Sequence, residues 1–171
     1  MERGLSGPRT GAAVARARSI RFRILAIGRL RTGPFKELQN FYAARLLPPA
    51  AIIELEVRHR LPPAMLKARE AELILEALPA GTPLIALDRR GAAWSSRELA
   101  DRLAAWRDRA TAELAFAVGG AEGLATPVLE RAAATLSLGT MTWPHLLARG
   151  MLLEQLYRAQ QILAGHPYHR D

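Results

Sequence analysis

The segment HPYHRD, His166 to Asp171, gathers two of the chain's four histidines, a tyrosine and an arginine into six residues. Terminal segments usually fray. Here Gly165 is suited to end a helix and Pro167 stiffens the residues after it, so His166, Tyr168, His169 and Arg170 are expected to project in a defined direction. An imidazole titrates nearest neutrality, a phenol stacks or hydrogen-bonds, and a guanidinium holds anions. A metal site from His145, His166 and His169 is a rival reading. It is a poor one, because two histidines flanking a proline chelate badly and no acid is obviously paired with them.

Two further stretches carry residue types that suit a ligand. GGAEGL, from Gly119 to Leu124, lets backbone come close to a bound molecule because no Cβ obstructs it. Its GGxxG spacing is neither the dinucleotide fingerprint nor a P-loop, and a plain tight turn accounts for it equally well. SLGTMTWPH, from Ser137 to His145, mixes a glycine with Leu138, Met141 and Trp143, which suit an apolar pocket or simple core packing.

The elements that must position these residues emerge from alternating periodicity. Arg21 to Ile27 reads as a strand, and Phe35 to Leu46 as a helix with Pro34 at its first position. Ala51 to Arg58 is a second strand and Ala64 to Leu78 a second helix. Pro83 to Asp88 has the apolar run of a buried parallel strand. A turn at Gly91 leads to Ser95 and Glu98, whose spacing suits a capping box for a helix to about Asp108. Glu113 to Val118 is the fourth strand. Thr126 and Pro127 form a cap and first-turn pair for a helix through Ala134, Thr135 to Met141 is a fifth, shorter strand, and a long helix runs from Pro144 to Gly165. Five strands alternating with helices imply a single α/β domain with a mostly parallel sheet flanked by helices, and ligands in such folds bind off the carboxyl ends of the strands.

Composition narrows the classes. The 171 residues suffice for one core, and the absence of cysteine excludes disulfide frameworks, thiolate zinc sites and cysteine nucleophiles. No apolar run approaches the roughly 20 residues that span a bilayer, so the chain reads as soluble, non-membrane and cytoplasmic. Of the net charge of +8, five units sit in residues 1–23; the remainder is only mildly basic, a weak argument by itself for a nucleic-acid partner. Residues 1–19, rich in arginine and small residues, read as a disordered basic extension with some likeness to a transit peptide, and residues 20–171 as the folded domain. The last helix has apolar residues on more than one face, Leu153, Leu156 and Tyr157 among them. This fits either a central core helix or a homodimer interface.

AVGGAEGL, LSLGTMTWPH, LLARGMLLEQLYRA and the terminal HPYHR, in that order, resemble the SPOUT-class methyltransferases, and among them the ribosomal RNA large subunit methyltransferase H family. The likeness runs from about Arg21 to Arg170. The chain departs from the pattern at Ala121, where Pro or Ser is common, and in its basic extension. The resemblance implies a C-terminal trefoil knot, a homodimer, S-adenosylmethionine as methyl donor, no metal, and N3 methylation of a pseudouridine in large-subunit rRNA on the ribosome. It carries cofactor contacts, made largely by backbone, to Leu87, Gly119, Leu138, Gly139, Thr140, Met141, Thr142 and Trp143. Leu87, Leu138 and Met141 would enclose the adenine faces.

Methyl transfer to an imide nitrogen needs its proton removed and its lone pair placed in line. On that chemistry His169 is the expected base, Tyr168 stacks on the target or hydrogen-bonds it, and Arg170 with Arg149 holds phosphates. Two other classes compete: a catalytically silent RNA-binding module of the same fold, and a nucleotide-dependent oxidoreductase, which the absence of GxGxxG opposes.

Overall fold

The computed structural model describes residues 19–168. The extension expected at 1–19 therefore lies outside the described residues except for Ser19, as do His169 and Arg170. Five strands and five helices alternate: β1 (Arg21–Ile27), α1 (Pro34–Arg45), β2 (Ala51–Leu55), α2 (Pro63–Ala77), β3 (Leu84–Ala92), α3 (Ser96–Asp108), β4 (Glu113–Val118), α4 (Thr126–Arg131), β5 (Ala134–Leu136) and α5 (His145–Leu163). All strand pairs are parallel, in the order β2-β1-β4-β3-β5.

The alternation of side chains along the central strands divides the core into two layers. Phe22, Ile24 and Ala26 of β1 and Leu114, Phe116 and Val118 of β4 face α1, α3 and α5, where Leu99, Leu103, Leu152, Leu153 and Leu156 close the layer. The intervening Leu25, Ile27, Ala115 and Ala117 face α2 and α4, where Ala71, Ile74 and Val128 meet them. Pairing on both sides and cover on both faces explain why β4 reads as a nearly unbroken apolar run.

Most starts and stops obey local chemistry. Pro34 opens α1, and Ser95 and Glu98 form the reciprocal capping box: Glu98 N–H donates to Ser95 Oγ at 3.2 Å and Ser95 N–H to Glu98 Oε2 at 2.7 Å. Four expectations need correction. Ala125, not Thr126, caps α4, and no side chain accepts a bond there. The same helix stops at Arg131 because Ala133 N–H is taken by Leu84 O at 2.8 Å and Ala134 joins the sheet. Gly91 is no turn: β3 continues through it, and Leu136 pairs with both Leu87 and Ala92 across a bulge. A Cβ at Gly91 would stand 2.7 Å from the backbone carbon of Thr135, so only glycine admits β5 this closely. Lastly, Leu153 and Leu156 are fully buried within the single chain and belong to its own core, not to a partner surface.

The largest fully buried side chain is Arg149. From α5 its Nη2 donates to Ile27 O at 2.5 Å and Gly28 O at 2.6 Å, where β1 ends, while Nη1 donates to Glu54 Oε1 of β2 at 3.1 Å. Glu54 also accepts from Leu30 N–H at 3.0 Å. One guanidinium thus ties the last helix to the carboxyl ends of both edge-side strands. Arg149 was expected to hold phosphate; with no exposed surface and its fork occupied, it holds backbone instead.

Removing one partner of a buried ion pair typically costs about 3–5 kcal/mol. Arg149→Met should therefore lower the melting temperature by about 10 °C for a chain of this size, read by circular dichroism. An unchanged melting temperature with weakened RNA affinity would restore the phosphate role.

Candidate active site

The outer part of β3 and the loops that follow β4 and β5 enclose a cavity of about 510 Å³. Leu87 lines it from the strand, Gly119 from the loop after β4, and Leu138, Gly139, Met141, Thr142 and Trp143 from the third segment, the loop after β5. Thr140, from the same run, is exposed and does not line the cavity.

The third loop is built around Ser137. Its N–H donates to Ala92 O at 3.0 Å, and its hydroxyl lies 2.9 Å from Gly139 O and 3.3 Å from Arg89 O while accepting from Gly139 N–H at 3.2 Å. Gly139 takes φ of 107°, a conformation that side chains other than glycine rarely adopt. Trp143 Nε1 donates to Leu138 O at 3.3 Å and pins the loop's far end. Met141 is 67% and Trp143 37% exposed, so neither serves as core packing in this chain.

The glycine loop is closed on itself by Gly123 N–H donating to Gly120 O at 3.1 Å. A Cβ on Gly119 would stand 2.7 Å from the Gly123 carbonyl carbon. Gly119 is thus required first by the loop's own fold, and closeness to a ligand is a consequence. Glu70 of α2 abuts the same loop, its carboxyl held above the ordinary range by burial and then by Glu122.

Asp88 lies in the outer part of β3. Burial pushes its carboxyl up, but hydrogen bonds from Arg90, whose N–H lies at 2.8 Å and Nε at 3.1 Å, outweigh this and leave it lowered and ionised. His145, the first residue of α5, lines the cavity beside the end of β1, since a Cβ on Gly28 would lie 3.5 Å from its Nε2. Sequence reasoning raised it only as a rival metal ligand. Its place after Pro144, opening a helix that succeeds a cavity loop, is the signal that pointed to it. Among the described residues no group of three or more His, Cys, Asp or Glu side chains could hold a metal ion.

The structure does not gather Tyr168 and Arg149 around that cavity. Gly165 turns the chain at φ of 66°, and Tyr168 folds back on α1 and α5. Its ring meets Tyr157 edge-on at 4.9 Å, and its hydroxyl lies 3.5 Å from that of Tyr42 and donates to Glu154 Oε1 at 3.4 Å. The bond with Tyr42, then burial, pushes this hydroxyl up to about 12, so it stays protonated at neutral pH. Glu154 and Arg158 form a half-buried ion pair, with the Arg158 guanidinium 5.2 Å from the Tyr168 ring. Tyr42 and Glu154 line a second cleft of about 550 Å³ whose opposite wall is Leu136, Ser137, Leu138 and Gly139. These four residues also wall the first cavity. The tail's neighbours and the loops of the first cavity thus share one partition.

Burial, and secondarily the Arg149 guanidinium, push the His145 imidazole below its ordinary 6.5. The unfolded chain binds this proton more readily than the folded one. The stability contributed is full above about pH 6.5 and is lost as pH falls below it towards the depressed folded value. Between about pH 7 and about pH 5 the melting temperature of the His145→Asn variant should fall less than that of the unaltered chain; equal slopes would remove His145 from this balance.

The family model described as predicted SPOUT methyltransferase matches residues 20–169. The chain is 52% identical over 151 residues to the ribosomal RNA large subunit methyltransferase H of Rhodospirillum centenum, covering 88% of this chain and 99% of the relative. It is 53% identical over 150 residues to the protein of the same name from Acidiphilium cryptum, covering 88% and 94%. A crystal structure of a probable methyltransferase from Bordetella pertussis superimposes with a TM-score of 0.55 at 18% identity, over 87% of this chain and 99% of that one, and shares its fold. The enclosed loops, the all-parallel sheet and the match across nearly the whole described domain agree: the chain belongs to the SPOUT methyltransferase family.

Proposed function

We propose that the chain transfers the methyl group of S-adenosylmethionine to N3 of a pseudouridine in large-subunit rRNA on the assembled ribosome, working as a homodimer in the cytoplasm. The observation that carries the reading is the cavity at the carboxyl edge of β3, β4 and β5, walled by backbone-rich loops and by Leu87, Leu138, Met141 and Trp143. Its volume and mixture of apolar side chains with free backbone edges suit an adenosine group. The family resemblance implies a trefoil knot in the C-terminal part of the chain.

When bound, S-adenosylmethionine supplies an electrophilic methyl group on a sulfonium. The chain does the rest. The loops at 119–124 and 137–143 hold the donor and exclude water from it. His169 would accept the N3 proton of the base, leaving N3 free to receive that methyl group, and Arg170 would hold backbone phosphate. Tyr168, whose protonated hydroxyl already donates to Glu154, serves through the exposed part of its ring as a stacking face. Because Arg149 is committed to the core, Arg170 carries the phosphate role without it.

Incubation of labelled S-adenosylmethionine with purified ribosomes and with free rRNA tests the activity. Label should enter the ribosomal substrate, and deleting residues 168–171 should abolish turnover while calorimetry shows cofactor affinity retained. Cofactor binding without transfer to either RNA would leave the silent RNA-binding module.

The dimer finds support in the aromatic face where α1 meets the end of α5. Phe41 is 49% and Leu163 39% exposed beside Tyr42, Tyr157 and Tyr168. Light scattering should give the mass of two chains, and Phe41→Glu, at an exposed position, should give one without loss of melting temperature. A monomeric unaltered chain would refute this.

A further inference from the structure

A groove of about 780 Å³ runs between α1 and the edge strand β2, and its composition is unlike that of the cofactor cavity. Arg29, Arg31 and Lys36 line one stretch of it, with Gln39, Asn40 and Glu54 beside them. Arg29 and Arg31 are exposed. The acidic groups in reach are already engaged. Glu54 accepts from Arg149 at 3.1 Å and lies 3.9 Å from Lys36, and Glu56 lies 3.6 Å from Arg29.

Gln39 is only 1% exposed, yet it lines the groove and its Oε1 has no hydrogen-bond partner. A buried amide oxygen without a donor is costly, typically about 1–3 kcal/mol, and a ligand hydroxyl would satisfy it. Phosphates call for the cations at the rim, and a hydroxyl within reach of a buried amide calls for a ribose; together they describe RNA more closely than DNA or an acidic peptide.

The groove also opens where such a strand would be useful. Its basic stretch at Arg29, Arg31 and Glu54 lies at the same carboxyl edge of the sheet as the cofactor cavity, while Pro49 and Ala50 carry its other end to the start of β2. What separates them is the Glu54–Arg149 pair and the Gly28 turn, whose other side is His145 of that cavity. We propose that this groove is an RNA-backbone track, with Arg29, Arg31 and Lys36 on phosphates and the Gln39 amide on a 2′-hydroxyl, which leads the substrate strand towards the methyl-transfer site. The proposal rests on the reading of the chain as an rRNA methyltransferase.

The test uses the full chain, a labelled hairpin from large-subunit rRNA, and the all-deoxy hairpin of the same sequence, titrated by fluorescence anisotropy between about 50 and about 200 mM salt. Arg29→Ala and Arg31→Ala should each reduce the slope of log affinity against log salt by about 0.7, with S-adenosylmethionine affinity unchanged in calorimetry. Gln39→Met, of similar volume, should cut the preference for RNA over its deoxy counterpart by about fivefold, the equivalent of one neutral hydrogen bond, and leave the salt slope alone. If both arginine variants keep the original slope the track is wrong, whatever Gln39→Met does. If the unaltered chain methylates rRNA while the slopes do not move, the enzyme assignment stands and the groove falls. Altered slopes in a chain that transfers no methyl group would keep the groove and sink the assignment.

Discussion

A single buried cation organises this domain. Arg149 reaches from the first turns of α5 to the carbonyls that end β1 and to Glu54 on β2, with its guanidinium wholly withdrawn from water. Carbonyl groups at the end of a parallel strand have no further partner in the sheet, so an α/β fold must supply one. Here a charged fork does so. The same bond sets where α5 begins, and with it the placing of His145 and the loop before it. An apolar side chain could fill the volume but would take a donor from two carbonyls and leave Glu54 to Leu30 N–H and Lys36 alone.

The layers are built out from that anchor. Large side chains on one face of β1 and β4 receive three helices, while Ala115 and Ala117 on the other face let α2 and α4 come close. Where two backbones must nearly touch, glycine appears: Gly91 under β5, and Gly119 against Gly123. In each case the demand comes from the protein's own chain. The concave lining of the cavity at the carboxyl edge is what remains once those contacts are made.

Much of this was legible in the sequence because local chemistry specified it. The strand at Glu113–Val118, the Ser95–Glu98 capping box and Pro34 at the head of α1 all appear where periodicity and capping rules put them. Seven of the eight residues expected around the cofactor line one cavity, a placing owed to motif resemblance more than to periodicity. What sequence could not reveal was decided over long separations. Arg149 looks like any helical arginine until β1 and β2 arrive beside it. Gly91 looks like a turn until β5 crosses it, and Leu153 looks like a spare apolar face until α1 and α3 cover it. Thr126 lost its capping role because the preceding Ala125 already had the extended backbone that a cap requires.

The run Leu136 to Gly139 faces the cavity of the carboxyl-end loops on one side and the cleft of Tyr42 and Glu154 on the other. It is a partition one strand of backbone thick. A substitution in this run alters the walls of both spaces at once, so neither can be reshaped there without the other.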